Sequence, residues 1–191
     1  AAFAVPTVLI ERHKMGGDCL NAGCVPSKAL LAAARRAEMI QGAGMFGVVA
    51  QGIIDFGKVH DHVHGVIAAV APTDSAERFN ALGVRVIRST ARFKNRKTVV
   101  AGETEIRARR FVIAKGSKPA VPPIPGLDRG PYLTNETIFD LRERPEHLII
   151  IGAGALGSFH AYHACKKNLK VLLIEKDLQP MEATVRNFGQ I

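Results

Sequence analysis

The sequence predicts an α/β fold with two related strand–helix–strand units and a small antiparallel sheet between them. Two segments share the pattern of a short apolar strand that ends in a glutamate, Val-Leu-Ile-Glu at 8–11 and Leu-Leu-Ile-Glu at 172–175. A glycine-rich turn at 152–157 separates an apolar run from a helical pattern, as in one unit of a doubly wound sheet. The β-branched stretch from 84 to 114 supplies the antiparallel part.

The first unit opens with a strand, Thr7–Glu11. An Ala- and Leu-rich helix is predicted over Val25–Ile40, and a glycine-rich link follows at Gly42–Gly52. Helical spacing returns over Phe56–Leu82, where Pro72 should bend or break the helix because proline lacks the N–H that the helix needs.

The middle of the chain has the composition of a β-meander. Runs rich in β-branched residues at Val84–Phe93, Thr98–Val100 and Thr104–Ala114 predict three antiparallel strands. A proline-rich stretch, Lys118–Gly126, ends them. Residues Tyr132–Pro145 then form a connection with at least one helical turn.

The second unit carries a dinucleotide fingerprint. Strand Leu148–Ile151 leads into the glycine-rich turn, helix Ser158–Asn168 and strand Val171–Glu175. In this pattern Gly152 allows a tight turn, Gly154 admits a pyrophosphate and Gly157 permits close packing of helix on strand. Glu175 would accept a hydrogen bond from a ribose 2′-hydroxyl, which favours NAD over NADP. Because Lys176 is adjacent, NADP remains an alternative.

Charge and hydropathy exclude several classes of protein. The 26 Lys and Arg exceed the 17 Asp and Glu by nine, but they are scattered, and the chain has no Trp and no aromatic-interleaved basic motif. The sequence therefore argues against nucleic-acid binding. No apolar run approaches the about 20 residues of a membrane helix, and no signal peptide is visible. Three cysteines are too few for a disulfide scaffold, so we expect a reducing, cytoplasmic location.

Cys19 and Cys24 are the candidate redox pair. Four residues separate them, and this spacing alone is weak evidence. Their surroundings strengthen it, because the predicted helix begins next to Cys24, and a helix N-terminus can lower a cysteine pKa from about 8.5 to about 3.5–7.5. Lys28 adds a cation one turn later. The glycines that let the backbone turn tightly around the pair are Gly16, Gly17 and Gly23.

Other sulfur and histidine residues have simpler interpretations. A zinc site fails on ligand count, since no second His or Cys pair has finger-like spacing. His60, His62 and His64 fall on different faces of a helix and are interpreted as a solvated helix. Cys165 is interpreted as a packing residue of the helix after the fingerprint.

Three segments in this order resemble the class I pyridine nucleotide-disulfide oxidoreductases. They are Met15–Lys28 around the cysteines, Phe111–Pro119 with Pro123–Gly126, and the fingerprint at 152–157. This resemblance implies two Rossmann-like nucleotide-binding units, an FAD domain with the inserted meander and a partial NAD(P) domain. The corresponding ranges are a partial FAD-binding domain with the redox disulfide at 1–131, a connection at 132–146 and the partial NAD(P)-binding domain at 147–191.

The resemblance also assigns roles to residues. Cys24 would be the sulfur nearest the flavin and Cys19 the interchange thiol that attacks substrate, with Lys28 close to the flavin ring. Glu11 would bind the adenosine ribose of FAD, and Ala91 would present its backbone to adenine. The remaining expected FAD contacts are Gly16, Gly17, Asp18, Gly116 and Ser117.

The chain departs from the family pattern in three respects. The first fingerprint and the C-terminal dimerisation domain are absent, which suggests a piece of a longer homodimeric enzyme. Lys115 stands where the family usually has Thr. Phe159 stands where a Glu often pairs with the lysine that corresponds to Lys28, and an uncompensated cation there would cost stability.

The resemblance implies an oxidoreductase that passes electrons between NAD(P)H, FAD and the Cys19–Cys24 disulfide. Its substrate would be a small dithiol or disulfide, as in dihydrolipoamide dehydrogenases, or Hg(II), as in mercuric reductases. The alternative is a truncated, non-catalytic module that binds a dinucleotide at 152–175 without flavin.

Overall fold

The structure is a computed structural model that describes residues 5–121, 123–152, 155–166 and 169–175. The chain separates into two compact units, Ala1–Arg142 and Glu143–Ile191. The first unit contains β1 (Thr7–Ile10), α1 (Gly17–Asn21), α2 (Cys24–Gly42), α3 (Phe56–Val70), α4 (Ala76–Ala81), β2 (Val84–Ile87), β3 (Ala91–Asn95), β4 (Thr98–Ala101) and β5 (Thr104–Arg107). The second contains β6 (His147–Ile151), α5 (Ala155–Lys166) and β7 (Lys170–Ile174).

Strands β1 and β2 form a parallel pair. Thr7 is opposite Val84 and Ile10 is opposite Ile87, and the backbone N–H of Glu11 donates to the carbonyl of Ile87 at 3.0 Å. The prediction of one antiparallel strand over Val84–Phe93 is therefore wrong. The first half of this run, Val84–Ile87, is β2 and pairs in parallel with β1. Parallel strands need a long crossover connection, and the helices α1 to α4 supply it.

The helices of the first unit agree with the predicted pattern. Helix α2 covers the expected range, and the expected break at Pro72 is a 3₁₀ segment, Ala71–Asp74, between α3 and α4. Two side chains cap these helices: Asp55 accepts from the N–H of Lys58, and Ser75 accepts from the N–H of Arg78. Each cap satisfies an N–H that the first helical turn leaves without a partner.

Helices α1, α2 and α3 pack together and bury a small apolar cluster. Its members are Leu20, Ala22, Pro26, Ala29 and Val63, of which Leu20 is 3% exposed and Val63 is 2% exposed. Burial of a side chain such as Leu20 contributes on the order of 1.5–3 kcal/mol. The residues between the two cysteines are thus anchored in the core of the first unit.

Strands β3, β4 and β5 form the predicted antiparallel meander. Phe93, Val99 and Ile106 are directly opposite one another and share a face of the sheet. The ring of Phe93 contacts Phe111 edge-on, with centroids 5.1 Å apart. The last strand ends at Arg107, so the prediction of a strand as far as Ala114 is too long.

The second unit is a parallel pair with one helix between its strands. Strand β6 pairs with β7 from His147↔Lys170 to Ile151↔Ile174, and α5 packs on both strands. The predicted strand–helix–strand order is confirmed, although α5 begins at Ala155 rather than Ser158. In the described ranges, no helix combines the length and the apolar character that crossing a membrane requires.

Candidate redox site

The two candidate cysteines lie on either side of one tight turn. Cys19 belongs to α1, and Cys24 is the first residue of α2. Both are exposed free thiols in the structure. The turn between them contains two buried residues, Leu20 and Ala22, which hold it against the core while both thiols face solvent.

Asn21 fixes the backbone before the turn. Its side-chain amide donates to the carbonyl of Met15 at 2.9 Å and to the carbonyl of Gly17 at 2.8 Å. The sequence pattern did not point to this residue. An asparagine inside a short turn was the only indication of this role, since asparagine side chains commonly form hydrogen bonds with nearby backbone groups.

Gly23 allows α1 and α2 to approach each other. A Cβ atom at this position would lie 2.9 Å from the carbonyl oxygen of Asp18, which is too close for a backbone contact. The same Asp18 carbonyl accepts a hydrogen bond from the N–H of Ala22 at 2.8 Å. Any side chain at Gly23 would therefore open the turn that brings the cysteines together.

The two thiols have different electrostatic roles. The thiol of Cys19 donates a hydrogen bond to the side chain of Cys24, and this contact raises the pKa of Cys19. The positive charge of Lys28 acts in the opposite direction, as the smallest of the contributions. Cys19 thus retains its proton to higher pH than usual, with Cys24 as the acceptor.

A segment far along the chain contacts the turn. The side-chain amide of Asn135 donates to the carbonyl of Ala22 at 3.4 Å. The same segment is bound to α3, because His64 Nε2 lies 3.1 Å from the carbonyl oxygen of Phe139. Nothing in the sequence pattern pointed to Asn135.

The residues expected to contact FAD lie on four segments of the first unit. Glu11 is half-buried after β1, and its Oε1 accepts the N–H of His13 at 2.7 Å. Ala91 is the exposed first residue of β3. The structure brings together Gly16, Gly17, Asp18 and Lys28 with the cysteines, and it places Gly116 and Ser117 on an exposed segment without regular secondary structure.

The surroundings of the expected flavin contacts are open at two points. A Cβ atom on Gly17 or on Gly116 would meet no atom within 4 Å. The Nζ of Lys115, the residue that departs from the family pattern, donates to the carbonyl of Gly116 at 3.3 Å. Lys115, which stands where the family usually has Thr, therefore contacts the turn that is predicted to bind flavin.

The fingerprint of the second unit shows close backbone packing. The N–H of Gly152 donates to the carbonyl of Ile174 at 2.7 Å, and a Cβ atom on Gly157 would lie 1.7 Å from the carbonyl oxygen of Gly152. Glu175 directly follows β7. Gly154 and the side chain of Phe159 lie outside the described residues, so the predictions made for them stay predictions.

Two interpretations of single residues are wrong. His60 is not solvated: its side chain is 11% exposed, its ring lies 4.2 Å from the ring of His64, and its Nδ1 is 3.0 Å from Asp61 Oδ1. Only His62 of the three is exposed. Cys165, which we expected to be a packing residue, is exposed. Among the described residues, no group of three or more His, Cys, Asp or Glu is arranged to hold a metal ion.

Parallel strand pairs, a glycine-rich turn and two exposed thiols on one tight turn together define a mixed α/β protein with a candidate dithiol site. The profile of the pyridine nucleotide-disulphide oxidoreductases matches residues 1–191 of the chain. The chain belongs to this family.

The chain is similar to several characterised relatives. It is 38% identical over 160 residues to a mercuric reductase of Streptomyces lividans, covering 78% of this chain and 33% of the relative. It is 32% identical over 185 residues to a dihydrolipoyl dehydrogenase of Haloferax volcanii, covering 92% of this chain and 38% of the relative. The chain thus spans about a third of the length of these relatives.

The fold is also similar to a solved structure. The HOCl-induced flavoprotein disulfide reductase RclA of Escherichia coli matches with a TM-score of 0.74 and 24% identity, over 94% of this chain and 39% of that protein. At this level of identity the likeness concerns the fold alone.

Proposed function

We propose that the whole protein is an FAD-dependent oxidoreductase that passes electrons between NAD(P)H and the Cys19–Cys24 pair. The observation that carries the proposal is the placement of two exposed thiols, Cys19 and Cys24, on either side of one tight turn whose residues Leu20 and Ala22 are buried. Such an arrangement suits a pair that cycles between dithiol and disulfide, because a disulfide requires the sulfurs at about 2.05 Å from each other.

The residues present fit the two nucleotides. A carboxylate follows each of two parallel strands, Glu11 after β1 and Glu175 after β7, where a ribose would bind. Gly17 leaves its turn open to a flat ligand, and Gly157 gives the close helix packing of a dinucleotide site. FAD, when bound, supplies the two-electron carrier between the nicotinamide and the sulfurs.

The chemistry of the chain itself is confined to the two sulfurs. Reduction of the Cys19–Cys24 disulfide takes up two electrons and two protons and gives two thiols. Cys19, as thiolate, would attack a substrate disulfide and form a mixed disulfide with release of one substrate thiol. Cys24 would then attack Cys19, which releases the second substrate thiol and restores the Cys19–Cys24 disulfide. The contact with Cys24 raises the pKa of Cys19, and the positive charge of Lys28 opposes this rise as the smallest of the contributions.

Two substrate classes are compatible with this pair. A small disulfide is reduced to two thiols, or the reverse reaction oxidises a dithiol, as the name of the Haloferax relative implies for that protein. Alternatively, Hg(II) binds both sulfurs and takes up two electrons to give Hg(0), the sulfurs form the disulfide, and two protons are released. The name of the Streptomyces relative points to this reaction for that protein.

We assign the nucleotides to the two compact units. The range 1–131 would bind FAD, 147–191 would bind NAD(P), and 132–146 would connect them. The boundary between the units, after Arg142, lies within this proposed connection. We further propose that the whole protein is a homodimer. The alternative, a non-catalytic dinucleotide-binding module, receives less support because the matched relatives are named as oxidoreductases.

Counting thiols in the whole protein tests the proposed function. In the oxidised protein, we expect iodoacetamide to leave Cys19 and Cys24 unlabelled. After anaerobic addition of NADH or NADPH, it should label both. Mass spectrometry of the peptide that contains the two cysteines measures this labelling. Cys165 is exposed and outside the pair, so it should be labelled in both states. Absence of any nucleotide-dependent labelling at Cys19 and Cys24 contradicts the proposal. Turnover with Hg(II) against a small disulfide then separates the two substrate classes.

A further inference from the structure

The residues Thr134–Arg142, here named the clasp segment, contact both helix α3 and the cysteine turn. Three polar contacts bind it to α3: His64 Nε2 donates to the carbonyl of Phe139 at 3.1 Å, the same atom lies 3.6 Å from Asp140 Oδ1, and Arg142 lies 3.3 Å from Asp61 Oδ1. One contact reaches the cysteine turn, from the amide of Asn135 to the carbonyl of Ala22 at 3.4 Å. The segment therefore connects α3 to the backbone between the two cysteines.

Asn135 is held by a hydrogen-bonded local turn. The N–H of Thr134 donates to Oγ1 of Thr137 at 3.0 Å, and the N–H of Ile138 donates to the carbonyl of Thr134 at 2.9 Å. Because these bonds enclose Asn135, its amide is presented to the cysteine turn from an ordered backbone. Contact with Ala22 then costs little additional conformational entropy.

The carbonyl that accepts this bond occupies a sensitive position. Ala22 lies between Cys19 and Cys24, and its carbonyl belongs to the peptide that leads into Gly23. Disulfide formation depends on the distance and the direction of both side chains, which this backbone sets. A bond that holds the Ala22 carbonyl therefore restricts the conformations of the turn that carries both cysteines.

We propose that Asn135 is a positioning residue of the dithiol site, and that the clasp segment holds the cysteine turn in the geometry that favours the disulfide. This inference rests on the proposed redox role of Cys19 and Cys24. Asn135 is distant from the cysteines in the sequence and would not contact substrate. Its proposed role is to influence the equilibrium between dithiol and disulfide.

The test is the dithiol–disulfide equilibrium of the whole protein in glutathione redox buffers. The oxidised fraction of the Cys19–Cys24 pair is measured by acid quenching, alkylation and peptide mass spectrometry. Asn135→Ala should release the turn and shift the equilibrium constant toward the dithiol, by at most roughly fivefold, the equivalent of one whole hydrogen bond. Asn135→Asp, which has the same shape without the amide donor, should shift it in the same direction. Glu136→Ala, an exposed neighbour in the same turn, is the matched control and should behave as the unaltered protein.

The outcomes separate this inference from the proposed function. If the pair forms in the unaltered protein but both Asn135 variants keep its equilibrium, or if Glu136→Ala shifts it equally, Asn135 does not position the site. If Cys19 and Cys24 never pair in the unaltered protein, the proposed function fails first. Thermal unfolding of each variant is recorded alongside, because a role in general stability would lower Tm without moving the equilibrium of the pair.

Discussion

Cys19 and Cys24 lie on either side of one tight turn, and the side chain of Cys24 raises the pKa of Cys19. It does so because it favours the protonated form of Cys19. Two cysteines that differ in this manner can take different roles in thiol–disulfide exchange, because the attacking group is the thiolate.

Replacement of Cys24 by alanine should make Cys19 more reactive. The variant removes the side chain that raises the pKa of Cys19, but it keeps the backbone N–H of Cys24, which lowers that pKa. We expect the pKa of Cys19 to fall, and its alkylation at about pH 8 to become faster. Rates of iodoacetamide labelling across pH, with Cys165 as internal reference, measure this. Unchanged or slower labelling of Cys19 would contradict the assigned hydrogen bond.

Asn21→Ala should destabilise the first unit. The variant removes two hydrogen bonds, to the carbonyls of Met15 and Gly17, and one such bond typically contributes about 0.5–1.5 kcal/mol. We therefore expect the free energy of unfolding to fall by about 1–3 kcal/mol, measured by urea denaturation. Lys14→Ala is an exposed control near the same turn and should change stability by less than about 0.5 kcal/mol. Equal effects of the two variants would show that the Asn21 bonds contribute nothing.

The sequence predicted those parts of the fold that depend on neighbouring residues. The helical pattern of α2 and the break at Pro72 both arise from short-range spacing, and the structure confirms them. The cysteine turn was predictable for the same reason, because its glycines and its helix start lie within a few residues of the thiols.

Contacts between distant segments were not predictable in this manner. The run Val84–Ile87 has a composition that suits either kind of sheet, and only its parallel partner Thr7–Ile10 decides which one forms. Similarly, Asn135 is one polar residue in a loop, and its role depends on a contact with Ala22 that no local pattern encodes. His60 was misassigned because its burial is due to packing that periodicity alone does not show.

Stability should depend on the ionisation of Asp61 in acid. The hydrogen bond from His60, followed by the positive charge of Arg142, lowers the pKa of Asp61 in the folded protein. A carboxylate whose pKa is lower in the folded protein than in the unfolded chain stabilises the fold. This stabilisation is fully present at pH values above the pKa of the unfolded chain, and it is lost as the pH falls through the pKa of the folded protein. Asp61→Asn should therefore reduce the urea midpoint at about pH 6, and the difference should diminish at about pH 3.

Glu103→Gln is the control for the Asp61 experiment. It removes an exposed carboxylate from the turn between β4 and β5, away from α3. A deficit of Asp61→Asn that persists unchanged at about pH 3 would contradict the interpretation, since it would show a cost of the substitution unrelated to the charge.

Gly157→Ala should weaken the second unit and its proposed binding of dinucleotide. In an exposed helix this change is normally stabilising by about 1 kcal/mol, because alanine is the better helix former. Here the new Cβ atom would lie 1.7 Å from the carbonyl oxygen of Gly152, a backbone atom that has to shift with the whole turn. We expect the dissociation constant for NADH, measured by nicotinamide fluorescence, to rise at least about fivefold, on the order of the 1–3 kcal/mol that overpacking costs. Gly130→Ala is the matched control, because a Cβ atom on Gly130 meets no atom within 4 Å. Tighter or unchanged NADH binding by Gly157→Ala would show that helix α5 does not need this close approach to hold the nucleotide.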